Sequence, residues 1–215
     1  PGVVIAKAPP APIEELPPEM RPDGQNVIWI PGYWWYAEDL DNFIWVSGLW
    51  RDTPPDTRWV PGYWTPVAGG FQWVGGFWKH NNTPTVQYLP TPPQSLEAGP
   101  ISAAPGPDYI WVPGAWRYVQ TRYVWQSGGW MAARPDWVWV PAHYVWTPRG
   151  YVFVAGYWDH PFQRRGVVFA PIFFPHRVFA RPVIVYRPTV VIKTSTLSLY
   201  LFTRPSYRHY YFGNY

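Results

Sequence analysis

The sequence contains no cysteine, which excludes a disulfide framework and a thiolate metal site and leaves the redox compartment undecided. It also lacks any apolar run near the roughly 18 residues that a membrane-spanning helix needs, so no such span is predicted. Methionine is rare, with two residues. No Gly-rich phosphate loop, nucleophile elbow or zinc-ligand spacing occurs. These absences argue against catalysis, and we expect no enzyme activity, no catalytic or metal-binding residues, no cofactor and no small-molecule substrate.

Aromatic residues, proline and glycine are abundant instead. The 215 residues include 17 Trp, 16 Tyr, 11 Phe, 29 Pro and 18 Gly. Proline and glycine disfavour long helices, whereas aromatic residues favour strands and bring about 150–250 Å² of buriable surface each. The composition therefore predicts an all-β protein built from short strands that are broken by turns.

A six-residue motif, Trp-x-x-Gly-x-Trp, recurs eight times with substitutions. The motifs form two sets of four that match rank by rank: Pro-Gly in the first, Ser-Gly in the second, a Pro in the third, and a small residue before Gly in the fourth. Such agreement at a separation of about 80 residues indicates a duplicated four-motif unit. The predicted structural aromatic residues are Trp29, Trp34, Trp45, Trp50, Trp59, Trp64, Trp73, Trp78, Trp111, Trp116, Trp125, Trp130, Trp139, Tyr144, Phe153 and Trp158.

The two aromatic residues of one motif are five positions apart, which places them on opposite faces of a regular strand. One extra residue at the glycine, a β-bulge, would bring both rings to one face. We therefore expect one motif per strand and a kink at each motif. The alternative is that Pro-Gly itself closes a type II turn, although two-residue hairpins prefer the primed turn types. The predicted kink glycines are Gly32, Gly48, Gly62, Gly76, Gly114, Gly128 and Gly156.

The intervals between motifs predict hairpins. Eight residues separate Trp50 from Trp59, and the same gap recurs at four other places. An even gap lets the flanking aromatic residues face each other, and most gap centres carry Pro, Gly or Asp, which favour turns. The predicted fold is all-β, with two antiparallel four-stranded meander units of kinked strands and an extended Pro-rich C-terminal segment with short strands.

Composition also predicts how the chain is organised. Its five parts are a Pro-rich linker or edge-wrapping arm (1–24), a first four-motif unit (25–80), a Pro-rich connector (81–108), a second four-motif unit (109–160) and a basic, aromatic and Pro-rich segment (161–215). Residues 161–215 carry eight Lys or Arg and no Asp or Glu. This segment would either bind an anionic envelope polymer, a membrane surface or nucleic acid, or dock on the more acidic repeats of its own chain.

Two further features each allow two interpretations. His80 and His160 follow the last motif of each set, and a structural role at a strand end is favoured over a ligand or acid–base role because no paired carboxylate recurs beside both. The aromatic rings either form the core or present exposed faces that stack on sugar rings. The core is favoured because a small antiparallel sheet must bury one face to be stable.

The ordered motifs, Val86–Pro90, Ala142–Tyr151 and Leu201–Pro205 resemble the WxxGxW (also YxWxxGxW) repeat proteins of bacteria, especially the planctomycete-type ones. The chain departs from the repeat at Ala142-His143-Tyr144 and Phe153. The function of that family is uncharacterised, and the resemblance implies an exported protein of the cell envelope or extracellular space. It favours a non-enzymatic structural or interaction scaffold; the alternative is a polysaccharide-binding module with exposed Trp and Tyr. Expected partners are a second copy, envelope polymers or other envelope proteins, and nucleic acid is not expected.

Overall fold

The computed structural model describes residues 3–83, 85–174 and 184–192. Within these residues almost all regular structure is β, and the helical content is two 3-10 turns, Glu38–Leu40 and Phe162–Arg164. The all-β class that the composition predicts is confirmed. The predicted docking of the C-terminal tail lies outside the described residues.

The motifs pair two by two into four antiparallel hairpins. Two short strands precede them, β1 (Val4–Ile5) and β2 (Glu14–Glu15). The first hairpin contains β3 (Val27–Ile30), β4 (Tyr33–Ala37), β5 (Asn42–Val46) and β6 (Leu49–Asp52). In it β3 pairs with β6 and β4 pairs with β5, so two short strands flank the glycine of each motif.

The other three hairpins are built in the same way. The second contains β7 (Thr57–Val60), β8 (Tyr63–Val67), β9 (Gly70–Val74) and β10 (Phe77–His80). The third contains β11 (Tyr109–Val112), β12 (Ala115–Val119), β13 (Arg122–Gln126) and β14 (Gly129–Ala132). The fourth contains β15 (Val138–Val140), β16 (His143–Thr147), β17 (Gly150–Val154) and β18 (Tyr157–Asp159). In each hairpin the first short strand pairs with the fourth, and the second pairs with the third.

This pairing differs from the predicted four-stranded meander, because each sheet of repeat strands unites two motifs and not four. The outer edge of β6 is taken by β19 (Gly166–Phe169), which aligns Val167 with Trp50, so β6 does not pair with β7 in the described part of the chain. The loop between the two hairpins contains Pro54 and Pro55, which lack the backbone donors that a ladder needs. The predicted facing of Trp50 and Trp59 is therefore wrong.

The kink also differs from the predicted β-bulge. In the first hairpin Ile30 faces Leu49 and Tyr33 faces Val46, so two residues stay unpaired on each strand between the ladders. A bulge needs an extra residue on one strand only. The Pro-Gly pairs do not close turns either, since each strand continues past them. We call the four unpaired residues at the centre of each hairpin its kink.

The loop of the third hairpin adopts a turn conformation that its two central residues do not favour. Gln120 and Thr121 have φ values of 47° and 76°, the sign that a type I′ turn requires at both central residues. Neither residue favours this conformation, whereas Gly69 and Gly150 supply positive φ in the loops of the second and fourth hairpins. The register of the flanking strands, which places Val119 opposite Arg122, fixes this turn.

Short strands from both ends of the chain cover edges of the hairpins. β1 pairs with β9, and β19 pairs with β6 and with β21 (Val191–Ile192). β20 (Val185–Tyr186) pairs with β2 and forms the one parallel ladder of the described residues. The prediction that the Pro-rich C-terminal segment contains short strands is confirmed for these residues.

The two Trp residues of the first motif join different buried clusters. Trp34 packs with Trp45, Phe43 and two isoleucines from the N-terminal segment, whereas Trp29 packs against Trp50 and its neighbours. The two rings of this motif therefore belong to separate clusters, and the expectation of a single aromatic face stays a prediction. The rings instead gather in pairs on either side of the kink.

The described chain divides into two compact units that use discontinuous segments. One contains residues 54–62 and 74–161, and the other contains residues 3–53, 63–73 and the described residues from Phe162 onward. The second hairpin is divided at its kink. The five-part organisation that the composition indicates stays a prediction.

Candidate functional site: the kinks of the tryptophan hairpins

In each kink an aromatic ring of one motif lies across the glycine of the other motif. A Cβ atom built on Gly48 would lie 2.6 Å from Cζ2 of Trp29, and one built on Gly32 would lie 2.7 Å from Nε1 of Trp45. The same close approach occurs at Gly76, Gly114, Gly128 and Gly156, beneath Trp59, Trp125, Trp111 and Trp139 respectively. Only a hydrogen fits in these positions, so the glycine of the motif serves a close approach of a ring to the backbone.

The last aromatic residue of each motif packs against the first aromatic residue of the partner motif. The ring centroids of Trp29 and Trp50 are 5.3 Å apart with planes at 66°, and those of Trp34 and Trp45 are 5.2 Å apart at 78°. Six further pairs have the same arrangement at 5.2 to 5.6 Å: Trp59–Trp78, Trp64–Trp73, Trp111–Trp130, Trp116–Trp125, Trp139–Trp158 and Tyr144–Phe153. The structure thus places the sixteen repeat aromatic residues in eight cross-strand pairs, each contributing about 0.5–1.5 kcal/mol beyond burial.

The indole rings are packed rather than presented to solvent. Trp34, Trp45, Trp50 and Trp78 are buried, and every other Trp, all of which lie in the described part of the chain, is half-buried. The third hairpin is the least covered, since none of residues 109–132 is buried. The rings therefore work mainly as contacts within and between hairpins.

The kink of the first hairpin holds the carboxylate of Glu15, a residue of β2. This carboxylate accepts hydrogen bonds from the backbone amides of Gly32 at 2.5 Å and Gly48 at 3.0 Å, and from Nε1 of Trp45 at 3.0 Å. Burial raises the pKa of Glu15 above its ordinary value, although the three donors act in the opposite direction. The kink can take up a carboxylate because it leaves glycine amides unpaired in the ladders.

Glu97 occupies the kink of the third hairpin, where it shares with Glu15 the contact to the amide of the first kink glycine. Its carboxylate accepts hydrogen bonds from the amide of Gly114 at 2.5 Å and from Nε1 of Trp111 at 2.7 Å, and also from the amide of Gly99. The hydrogen bond from Trp111 holds the pKa of Glu97 below its ordinary value. Both glutamates precede the first glycine of their hairpin by 17 residues, so the duplication includes the Pro-rich segments before the motifs.

A second hydrogen bond fastens each of these segments to its hairpin. Nε1 of Trp34 donates to the carbonyl oxygen of Ala11 at 3.0 Å, and Nε1 of Trp116 donates to that of Gln94 at 2.8 Å. We call residues 11–17 the first arm and residues 94–100 the second arm. Each arm thus contacts its hairpin through one glutamate carboxylate and one backbone carbonyl.

An aromatic donor then joins the later hairpin of each set to the earlier one. Nε1 of Trp64 donates to the carbonyl oxygen of Trp34 at 2.8 Å, and the Tyr144 hydroxyl donates to that of Trp116 at 2.9 Å. Burial raises the pKa of Tyr144 to about 12, so its hydroxyl remains a donor at neutral pH. Both sets therefore repeat one order: an arm, a hairpin that the arm fills, and an attached hairpin.

His80 and His160 have structural neighbours. Nε2 of His80 lies 3.3 Å from the carbonyl oxygen of Gly156, and the His160 ring lies 4.6 Å from the Trp137 ring. Among the described residues, no three His, Asp or Glu side chains are close enough together to hold a metal ion. In the same residues, no helix has the length and apolar character needed to cross a membrane.

Sequence reasoning from the motifs missed Glu15 and Glu97, because both lie in segments that the composition marks as Pro-rich connections. A signal was available in their identical distance from the first kink glycine of each set. What the motifs alone do not reveal is that the kink leaves amides free for a carboxylate, since the predicted bulge placed the irregularity on one strand.

The chain is similar to one known repeat family. A family model described as the WXXGXW repeat, in two copies, matches residues 58–79, 106–131 and 134–158. These three ranges coincide with the second, third and fourth hairpins, so two copies of the repeat correspond to one hairpin. The resemblance to this repeat is confirmed over these ranges. Comparisons with curated proteins and with solved structures gave no match.

Proposed function

We propose that this chain is a non-enzymatic structural and interaction scaffold whose tryptophan hairpins bind extended, Pro-rich segments that carry a glutamate. The observation that carries the proposal is the repeated arm contact, with Glu15 in the first kink and Glu97 in the third. Two sets of motifs hold two different segments through the amide of the first kink glycine, Gly32 or Gly114, and through the indole N–H of the Trp two residues later, Trp34 or Trp116. The binding mode therefore belongs to the repeat and not to one local sequence.

The chemistry of the kink suits this role. Hydrogen bonds from N–H donors to a carboxylate are roughly twice as strong as those between neutral groups. Pro-rich segments are already extended, so they lose little conformational freedom when they bind. A hairpin kink thus binds an extended acidic segment through few contacts, which suits a scaffold that is built from repeats.

The packing of the indole rings supports a scaffold over the alternative of a polysaccharide-binding module. A ring that stacks on a sugar must offer an open face, whereas the rings of Trp34 and Trp45 are 3% exposed and face each other. Tryptophan emission of the intact chain tests the choice. We expect blue-shifted emission that soluble glycans leave unchanged. Red-shifted emission that moves on addition of a glycan would favour the binding module.

We also propose that the protein works in the bacterial cell envelope or the extracellular space, with envelope polymers or other envelope proteins as partners. The support is the resemblance to exported repeat proteins of bacteria. Fractionation of the natural host followed by immunoblotting tests the location. The protein is expected in the envelope or medium fraction, and its recovery in the cytoplasmic fraction alone would contradict the proposal.

A further inference from the structure

The kink of the fourth hairpin is built like the kink that holds Glu97. Trp139 stands where Trp111 stands in the third hairpin, because each faces the last Trp of the partner motif across its ladder. By the same alignment, Ala142 stands where Gly114 stands. Nε1 of Trp111 donates to Glu97. The buried Nε1 atom of Trp139 has no hydrogen-bond partner within the described residues.

Within the 215 residues of the sequence, no carboxylate side chain fills this kink. All 13 Asp and Glu residues of the sequence lie in the described part, and none of them contacts Trp139 Nε1. The residues outside the described part, 175–183 and 193–215 among them, contain no Asp or Glu. An acidic side chain that fills the site would therefore lie outside these 215 residues.

A cavity of about 390 Å³ adjoins this kink, and its lining includes Trp139, Ala142 and Gly156. The side chain of Arg117 also lines the cavity, with its guanidinium 4.4 Å from the centroid of the Phe153 ring. Trp139 and Arg117 thus line one cavity. This combination of donor and positive charge suits a carboxylate, and it does not suit a neutral or basic group.

We propose that the fourth kink binds a glutamate side chain in an extended, Pro-flanked segment of a different protein, as the third kink binds the second arm. The proposal rests on the scaffold function proposed above and adds the site and the chemistry of the partner. A second copy is disfavoured as the partner, because its arm glutamates, Glu15 and Glu97, already occupy kinks of their own chain.

A peptide with the sequence of residues 92–100, Pro-Pro-Gln-Ser-Leu-Glu-Ala-Gly-Pro, is a defined probe for this site. Fluorescence anisotropy of the labelled peptide with the full chain is expected to show saturable binding. Replacing its glutamate with glutamine is expected to weaken binding about tenfold, because a charged acceptor is lost. Equal binding of the two peptides would overturn the proposal.

Two variants locate the binding. Trp139→Phe removes the indole N–H and is expected to weaken peptide binding about tenfold. Trp158→Phe is the matched control, because Trp158 packs against Trp139 at 5.3 Å but does not line the cavity. It is expected to bind the peptide as the parent chain does. Equal losses in both variants would assign the effect to packing and overturn the proposal.

The indole N–H resonances of the 15N-labelled chain separate the fourth kink from the third. Peptide addition is expected to shift the resonance of Trp139, which the Trp139→Phe variant identifies, and to leave that of Trp111 in place. A shift of Trp111 instead would show exchange with the second arm and would refute binding at the fourth kink. Dimerisation abolished by Trp139→Phe would assign the site to a second copy, also against the proposal. None of these results would contradict the arm contacts of Glu15 and Glu97, on which the proposed function rests.

Discussion

The indole ring of Trp59 lies so close to Gly76 that a Cβ atom on this glycine would come within 2.3 Å of the ring's Cζ2 atom. It would also lie 2.9 Å from the carbonyl oxygen of Val60, which cannot move without disturbing the ladder. Gly76 does not have a positive φ. Glycine is therefore required at this position because the indole ring occupies the space of a side chain, and not because the backbone adopts an unusual conformation.

Gly76→Ala is expected to lower the free energy of unfolding by about 1–3 kcal/mol, because the methyl group overpacks the kink. Gly75→Ala is the matched control, since a Cβ on Gly75 would meet nothing within 4 Å. It should change stability little or raise it slightly by restricting the unfolded chain. Urea unfolding followed by tryptophan emission measures both variants. A loss at position 75 as large as that at 76 would contradict the steric role of the ring.

The fourth hairpin departs from the motif at Ala142, Tyr144 and Phe153, and two of these positions correspond to a glycine and its covering ring in the third hairpin. Ala142 stands where the third hairpin has Gly114, and Phe153 stands where it has Trp125. A Cβ on Gly114 would lie 2.6 Å from Cζ2 of Trp125. The smaller ring of Phe153 thus leaves room for the methyl group of Ala142.

Phe153→Trp alone is therefore expected to destabilise the protein by about 1–3 kcal/mol through overpacking. Adding Ala142→Gly is expected to recover most of this loss, with a coupling free energy of about 0.5–3 kcal/mol in a double-mutant cycle. Urea unfolding of the parent, the two single variants and the double variant gives this coupling. Additive effects would show that the two positions do not contact each other as inferred.

Glu15 and Glu97 each accept a hydrogen bond from the first kink glycine of a hairpin, but they are predicted to respond to pH in opposite directions. The pKa of Glu97 is lowered from 4.5, so its contribution to stability is present above pH 4.5 and is lost as pH falls through the lowered value. The pKa of Glu15 is raised from 4.5, so its contribution is fully present below pH 4.5 and is lost as pH rises through the raised value.

The measurement is the difference in unfolding free energy between the parent chain and each of Glu15→Gln and Glu97→Gln, at a series of pH values on both sides of 4.5. The advantage of the parent over Glu97→Gln should grow with rising pH, and its advantage over Glu15→Gln should shrink. Slopes of the same sign for both variants would contradict the difference in burial between the two carboxylates.

Much of the fold follows from the sequence, because the aromatic spacing reflects local geometry. The composition predicts the all-β class, and the even gaps predict that Trp64 faces Trp73 and that Trp116 faces Trp125, as their edge-to-face contacts show. The spacing does not distinguish a gap that closes a hairpin from one that joins two hairpins. For the gap between Trp50 and Trp59, that distinction involves β19, a strand distant in sequence that occupies the edge of β6.

The candidate site was harder to predict from the sequence. A glutamate in a Pro-rich segment has no local signature, and its role depends on amides that become available only when two motifs pair. Glu15 reaches the amides of Gly32 and Gly48, which come from two different motifs. Long-range pairing of this kind is not encoded in any one stretch of residues.

Hydrogen exchange at the amides of Gly32 and Gly114 tests most directly whether the arm glutamates fill the kinks. Both amides are expected to exchange slowly in the parent chain, because each donates to a carboxylate at 2.5 Å. Of these two amides, Glu15→Ala should accelerate exchange only at Gly32, and Glu97→Ala should accelerate exchange only at Gly114. Rapid exchange of both amides in the parent chain, or no change in either variant, would contradict the account.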